Sequence, residues 1–138
     1  APFTQQLADG SLNFMADNAA RSGVITTASG LQYEVISRSA NTDAQGPTAT
    51  SRVTVNYHGT FVDGRVFDSS VERGRPATFP LNQVIRGWTE GLQLMRPGDK
   101  FRFFIPPELA YGEAGRGPVP ANTPLIFEIE LLEIGGAN

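Results

Sequence analysis

The sequence has few groups that perform covalent or metal chemistry. It contains no cysteine and one histidine in 138 residues. The lack of cysteine excludes disulfides, thiolate metal sites and thiol nucleophiles, and His58 is the one imidazole available to a metal or a proton. A function that depends on a metal centre or on cysteine catalysis is therefore disfavoured.

Positive charge is also scarce. The chain has one lysine and ten arginines but 14 acidic residues, which gives a net charge of -3. This balance provides no electrostatic surface for nucleic acid. Apolar runs stay far below the roughly 20 residues that a membrane-spanning helix needs. The composition fits one ordinary globular domain, and we expect neither a nucleic-acid partner nor a membrane span.

The first 29 residues predict an N-terminal helical arm or linker, followed by one domain over residues 30–138. From about Phe3 to Arg21 the pattern is that of a polar helix, and Gly23 is typical of a helix end. Such a helix is either a frayed arm or the remnant of a connector to another module. The chain starts with Ala-Pro, and a mature exported form and a trimmed form both remain open.

Apolar and polar residues alternate through most of the chain after Gly30, which predicts half-buried strands. Asp63-Gly64 is a hairpin turn signal between two of them. The expected fold class is α+β, an antiparallel sheet of five or six strands with one short inserted helix. The alternating apolar positions are Leu31, Tyr33 and Val35; Val53, Val55, Tyr57 and Phe61; Val66 and Phe67; Phe101, Phe103 and Ile105; and Phe127, Ile129 and Leu131.

The inserted helix is the segment VIRGWTEGL, residues 84–92. Its apolar residues recur at helical spacing, but Gly87 and Gly91 each cost a helix about 1 kcal/mol relative to alanine. Tertiary packing must therefore hold it, and glycines allow a curved sheet to approach closely. Trp88, the one tryptophan, is either plain core or the floor of a cavity between helix and sheet.

Five short motifs follow one another along the chain. They are VTVNYHG (53–59), DGRVFDSS (63–70), VIRGWTEG (84–91), LAYG (109–112) and FEIEL (127–131). Together they resemble the FKBP-type peptidyl-prolyl isomerases, in particular the Mip-like bacterial subgroup, over about residues 30–134. The resemblance implies an antiparallel half-barrel around a short helix, in agreement with the alternation. It also implies an enzyme that accelerates rotation of Xaa-Pro bonds.

The same resemblance implies a proline pocket with Trp88 as its floor and Asp68 at its rim, near Arg73. Asp68, the Tyr111 hydroxyl and the Ile85 amide would carry catalysis, the last two by donating hydrogen bonds to substrate carbonyls. Val119 matches an apolar lip. The implied substrate-binding residues are Tyr57, Phe67, Arg73, Phe79, Val84, Trp88, Val119 and Phe127.

Isomerisation of this kind needs no nucleophile, no metal and no cofactor, because the barrier of ~18–20 kcal/mol comes from amide resonance. An apolar pocket disfavours the polar planar amide relative to the twisted transition state. The implied partners are unfolded or proline-containing polypeptides and macrolide inhibitors such as rapamycin. Ala77 stands where many family members carry an aromatic residue, which predicts weaker macrolide binding.

Alternatives remain at several residues. Asp68 is either a functional carboxylate or a cap for the turn at Ser69 and Ser70, and the aromatic residues are either pocket walls or plain core. A proline-peptide binding module or holdase chaperone, without essential catalysis, is the second functional reading. The Mip-like resemblance favours the bacterial periplasm or cell envelope, with a cytoplasmic location still open. We expect a monomer, since the residues before the first strand are too few for a dimerisation module.

Overall fold

The computed structural model describes residues 15, 17–38, 46–62, 64–111, 119 and 123–135. Within these residues, seven strands form one sheet in which every pairing is antiparallel. The predicted α+β class and the antiparallel, curved arrangement are confirmed. The strands are β1 (Ile25–Thr26), β2 (Gln32–Ser37), β3 (Arg52–Thr60), β4 (Val66–Ser69), β5 (Ala77–Pro80), β6 (Lys100–Ile105) and β7 (Leu125–Gly135).

The strand order β1-β2-β6-β7-β3-β4 places β3 near one end of the sheet, where it has three partners. One side of β3 pairs with β7 along its length. The other side pairs with β5 through residues 52–55 and with β4 through residues 58–60. The described sheet therefore has more strands than the five or six expected, because β1 and β5 were not predicted.

Two short α-helices follow the strands of this region. Helix α1 (Ser70–Arg73) has both ends capped: the Ser69 side chain accepts from the Glu72 N–H, and Gly74 adopts a left-handed φ of 80°. Ser69 thus performs the capping that the sequence left open for Asp68. Helix α2 (Arg86–Leu92) has no side-chain cap at its N-terminus.

Helix α2 packs on the concave face of the sheet through its glycines. A Cβ at Gly87 would lie 2.6 Å from Ile105 Cγ2, and a Cβ at Gly91 would lie 2.6 Å from Phe103 Cε1. The prediction that these glycines permit close approach to the sheet is confirmed. Helix and sheet enclose one apolar core whose fully buried members include Val53, Val55, Leu92, Ile129 and Leu131.

The opposite, outer face of the sheet carries paired charges. Arg102 on β6 lies 2.9 Å from the Glu34 carboxylate on β2 and 2.7 Å from the Glu128 carboxylate on β7. Glu34, Arg102 and Glu128 are thus bonded across three strands. Each such pair stabilises the fold by less than about 1 kcal/mol because it is partly solvated.

The end of the N-terminal arm contacts this outer face. Met15 and residues 17–19 are helical. The buried Asn18 amide donates to Gln32 Oε1 on β2 at 2.8 Å, and Gln32 Nε2 donates to the Met15 carbonyl at 2.8 Å. The rest of the predicted arm helix lies outside the described residues. So do Asp63 of the hairpin turn, the loop residues 39–45 and the segment 112–121 apart from Val119.

Candidate functional site

A cavity of about 520 Å³ lies between α2 and the sheet, a size suited to a small ligand or a peptide side chain with its neighbours. Of the predicted site residues, all but Arg73 and Val119 line it. Gln83, which sequence reasoning missed, lines it as well. The lining residues are Tyr57, Phe67, Asp68, Phe79, Gln83, Val84, Ile85, Trp88, Tyr111 and Phe127.

The floor of the cavity is Trp88, which is 5% exposed. Three aromatic rings meet it edge-to-face: Tyr57 at 5.2 Å, Phe79 at 5.5 Å and Phe127 at 5.2 Å between ring centroids. Such pairs add about 0.5–1.5 kcal/mol each beyond the area they bury. Trp88 is therefore a member of the core that also lines the cavity, so the two alternatives from the sequence do not exclude each other.

Strands β4 and β7 supply the remaining aromatic wall. Phe67 meets Phe127 edge-to-face, with centroids 5.4 Å apart and an interplanar angle of 77°. A Cβ at Gly59 would lie 2.7 Å from a Phe127 ring carbon, so glycine on β3 makes room for this pair. The cavity is thus lined mainly by aromatic and aliphatic side chains, with the exposed Asp68 and Gln83 at its mouth. The Trp88 Nε1–H is buried at the floor and has no partner among the described residues.

Asp68 belongs to a hydrogen-bonded group with Tyr57 and Arg73. The Tyr57 hydroxyl donates to Asp68 Oδ2 at 2.8 Å, and Arg73 donates to Asp68 Oδ1 at 2.6 Å and to the Tyr57 hydroxyl oxygen at 2.7 Å. Arg73 does not line the cavity: its guanidinium lies over the Tyr57 ring, 5.6 Å from the centroid. Helix α1 therefore presents Arg73 to hold the carboxylate and the phenol at the mouth.

Two members of this group, Tyr57 and Arg73, have a raised pKa. Burial raises the pKa of Tyr57 above its ordinary value, although the hydrogen bond from Arg73 acts in the opposite direction. The hydrogen bonds with Tyr57 and Asp68 raise the pKa of Arg73. The phenol consequently remains a donor to Asp68, and the guanidinium remains charged.

The segment before α2 forms the wall opposite Asp68. Val84 and Ile85 have extended backbone, with φ, ψ of -113°, 173° and -59°, 152°. The Ile85 carbonyl accepts from the N–H groups of Trp88 and Thr89 at 3.0 and 3.1 Å, which starts the helix. No described residue accepts from the Ile85 N–H, so this donor is available to a ligand.

Tyr111 lines the cavity from the segment after the 3₁₀ helix Pro107–Leu109. Arg86 at the start of α2 donates to the Glu108 carbonyl at 2.9 Å, which ties this segment to the Ile85 wall. Val119 lies elsewhere: it is 4% exposed and belongs to the hydrophobic core instead of the lining. Its predicted role at the lip therefore has no counterpart among the lining residues.

No cluster of three or more metal-binding side chains is present in the described part of the chain. None of the described helices has the length and apolar character to cross a membrane.

Two protein-family models match this chain. The family of FKBP-type peptidyl-prolyl cis-trans isomerases matches residues 43–132, and the domain found amino-terminal to such isomerases matches residues 4–35. The chain belongs to the FKBP-type peptidyl-prolyl cis-trans isomerases. The resemblance predicted from the five motifs is confirmed.

Individual relatives agree with this assignment. The chain is 59% identical over 121 residues to the FKBP-type peptidyl-prolyl cis-trans isomerase FkpA of Aeromonas hydrophila, covering 88% of this chain and 44% of the relative. It is 47% identical to the peptidyl-prolyl cis-trans isomerase Mip of Coxiella burnetii, covering 92% of this chain and 54% of the relative. The chain thus spans about half the length of these curated relatives.

A solved structure gives the same fold. The crystal structure of FkpA from Escherichia coli superposes with a TM-score of 0.89 at 40% sequence identity, covering 100% of this chain and 65% of that one. The half-barrel architecture expected from the resemblance is confirmed.

Proposed function

We propose that this chain binds the proline of an Xaa-Pro segment in the aromatic cavity and accelerates cis–trans rotation of the preceding peptide bond. The observation that carries the proposal is a cavity lined mainly by aromatic and aliphatic side chains, whose lining also includes the polar side chains of Asp68, Gln83 and Tyr111. Proline is the one side chain joined to its own backbone nitrogen, so burying its ring also draws the Xaa-Pro amide out of water. Unfolded, proline-containing polypeptides are the proposed substrates, and assistance of their folding is the proposed role.

The barrier falls because the cavity treats the two states of the amide differently. A planar amide has a charge-separated resonance form that water stabilises, and the twisted transition state has lost it. When the Xaa-Pro amide moves from water to the Trp88 floor, it loses that water, and the energy of the planar state rises relative to the twisted one. A reduction of about 5–6 kcal/mol corresponds to roughly 10⁴-fold acceleration.

Hydrogen bonds at the mouth hold the twisted geometry. We assign the Ile85 N–H and the Tyr111 hydroxyl as donors to substrate carbonyls, since neither has a partner among the described residues. Asp68 faces the substrate from a position held by its hydrogen bonds with Arg73 and Tyr57. Hydrogen bonds that are stronger in the twisted transition state than in the planar states raise the isomerisation rate. Hydrogen bonds of equal strength in both states would only tighten substrate binding.

Trp88 provides a direct test, because the one tryptophan in the chain is also the cavity floor. A series of Xaa-Pro tetrapeptides is titrated while Trp88 fluorescence is recorded, and their isomerisation is followed by protease-free NMR exchange. We expect a fluorescence change and acceleration over buffer, favoured by an apolar Xaa. A fluorescence change without acceleration would reject catalysis and support the binding module or holdase, and absence of both would reject the cavity as the proline site.

Rapamycin should compete with the peptides, because both would occupy the proline cavity and the Ile85 donor. Ala77 on β5, half-buried beside this region, lacks the aromatic edge of many family members, so we expect weaker affinity than theirs. Calorimetry at high micromolar ligand measures it. Ala77→Phe should tighten rapamycin binding, and unchanged binding would remove Ala77 from the explanation.

We also propose a bacterial periplasmic or envelope location, on the Mip-like resemblance, and a monomer for residues 1–138. Fractionation of the native host with an antibody against this domain tests the location, with recovery in the cytosol as the contrary result.

Sedimentation equilibrium tests whether the chain is a monomer. A dimer of this chain would show that the arm or the domain self-associates.

A further inference from the structure

Gln83 lines the cavity, yet its side chain bonds no other described residue. The other polar side chains in the lining are Asp68, Tyr57 and Tyr111. Asp68 and Tyr57 are engaged with each other and with Arg73. Gln83 is exposed at the mouth, so its carboxamide, which has one acceptor oxygen and one donor nitrogen, is available to a ligand.

The backbone that leads into Gln83 is anchored at Leu81. Gln83 is the last residue of the 3₁₀ helix Leu81–Gln83, and Leu81 is fully buried. The Leu81 N–H donates to the Ser51 carbonyl at 2.8 Å, and the Leu81 carbonyl accepts from the Thr89 hydroxyl at 2.6 Å. Gln83 therefore stands at a defined place, two residues before the Ile85 donor on an extended segment.

The mouth otherwise offers mainly donors. The Ile85 N–H and, in the proposed function, the Tyr111 hydroxyl both address substrate carbonyls. The two carboxylate oxygens of Asp68 already accept from Tyr57 and Arg73. A bound peptide also presents N–H groups, and an N–H drawn out of water without an acceptor costs about 1–3 kcal/mol. Gln83 Oε1 is a side-chain acceptor in the lining that no described residue occupies.

We propose that Gln83 Oε1 accepts a hydrogen bond from the peptide N–H of the residue that follows proline. Proline itself has no N–H. The residue before proline moves with the rotating bond, so a contact to it must be remade during each turnover. The residue after proline stays fixed to the ring, and a bond to its N–H anchors the ring while the other side turns. Gln83 is then a positioning contact that determines which residues are accepted after proline.

The inference rests on the proposed isomerase activity and is tested by removing the two ends of the bond separately. One tetrapeptide substrate carries an amide after proline, and its matched depsipeptide replaces that N–H by an ester oxygen. Both are compared with their own uncatalysed rates by NMR exchange. For the unaltered chain, we expect the ester to lower kcat/KM by about threefold to tenfold, the range of one net hydrogen bond.

The variants identify the acceptor. Gln83→Met keeps length and bulk, and it should lower kcat/KM for the amide substrate by a similar factor with no further loss for the ester. Gln83→Glu keeps the acceptor oxygen and should retain the preference for the amide. Asn82→Ala, an exposed neighbour outside the lining, is the control and should behave like the unaltered chain.

The amide and ester substrates, each measured with the unaltered chain and with Gln83→Met, form a double-mutant cycle. The cycle gives the coupling free energy between the substrate N–H and the Gln83 side chain. Equal amide-to-ester ratios for the unaltered chain and Gln83→Met would overturn the inference while leaving the isomerase activity intact. A loss of amide preference in Gln83→Glu would overturn the assignment of the oxygen as acceptor. Failure of the unaltered chain to accelerate either substrate would instead reject the proposed function.

Discussion

The two helices beside the cavity are held in place in different ways. Helix α1 has four residues, and its ends are determined by its own sequence: Ser69 caps one end and Gly74 turns the chain at the other. Helix α2 has seven residues, no side-chain cap and two internal glycines, and it is fixed by contact with Phe103 and Ile105 on the sheet. The first presents Arg73 to the mouth, and the second carries the floor. The polar mouth thus depends on local signals, and the apolar floor depends on tertiary packing.

The largest expected effect is on the packing of α2. Gly91→Ala improves intrinsic helix propensity by about 1 kcal/mol, but its Cβ would lie 2.6 Å from the Phe103 ring. Overpacking of this kind costs typically 1–3 kcal/mol, so we expect a lower free energy of unfolding in urea and reduced isomerase activity. The control is Gly91→Ala with Phe103→Leu, which should destabilise by less than the sum of the single changes. A more stable Gly91→Ala chain would mean that propensity governs α2 after all.

The next effect concerns the mouth. Asp68→Leu keeps similar bulk but removes the acceptor for Tyr57 and Arg73. We expect kcat/KM to fall at least tenfold, equivalent to about 1.4 kcal/mol of transition-state stabilisation. Because Asp68 is 46% exposed, the free energy of unfolding should change by less than about 1.5 kcal/mol. Thermal unfolding and kinetics on the same preparation separate the two, and a large fall in melting temperature with normal activity of the folded fraction would assign Asp68 to structure alone.

A smaller effect is expected at the cap of α1. Ser69→Ala removes the acceptor for the Glu72 N–H, which should lower the free energy of unfolding by about 1 kcal/mol. Activity should fall slightly, because Arg73, which bonds Asp68, is the last residue of the same helix. Ser69→Asp retains a capping oxygen and should restore most of the stability. Equal stability of Ser69→Ala and the unaltered chain would show that α1, like α2, is held by its tertiary contacts.

The smallest effect is the pH dependence of Tyr57. Its pKa is raised in the folded chain, so the unfolded chain loses this proton first as the pH rises, and the contribution to stability present below about pH 10 is lost above it. Tyr57→Phe has no such proton and should show a shallower loss of stability between about pH 9 and 11. Urea unfolding at each pH measures this difference. Parallel pH profiles for the two chains would contradict the effect of burial on Tyr57.

The sequence predicted the long strands well, and the reason is physical. Strands such as β3 and β7 bury one face along most of their length, so apolar and polar residues must alternate there. Strand β5 was missed because its four residues, Ala77–Pro80, include a proline and show no clear alternation. It forms because half of β3 lacks another partner on that side. Strand β1, with two residues, is too short for any period to be visible.

The site was predicted largely through its motifs, and its omissions follow from what motifs contain. Helix α1 had a readable signal, since Ser69 and Glu72 form the capping pattern Ser-x-x-Glu, but four residues are too few for a periodic stripe. Gln83 gave no signal at all, because a polar residue before Val84 looks like ordinary surface. Its position at the mouth depends on the anchoring of Leu81 by Thr89 and by Ser51, the latter distant in sequence.

The outer face of the sheet carries one aromatic residue whose burial has a practical consequence. Phe104 is 3% exposed but lies outside the main core, and the Arg21 guanidinium covers its ring at 5.6 Å. A fragment that starts at residue 30 would remove Arg21 and Asn18, uncovering the ring and leaving the Gln32 amide without its partner. Such a fragment would keep every residue of the cavity and still lose the cation that covers Phe104 on the outer face. For anyone trimming this domain for crystallisation or display, the useful cut lies before Met15.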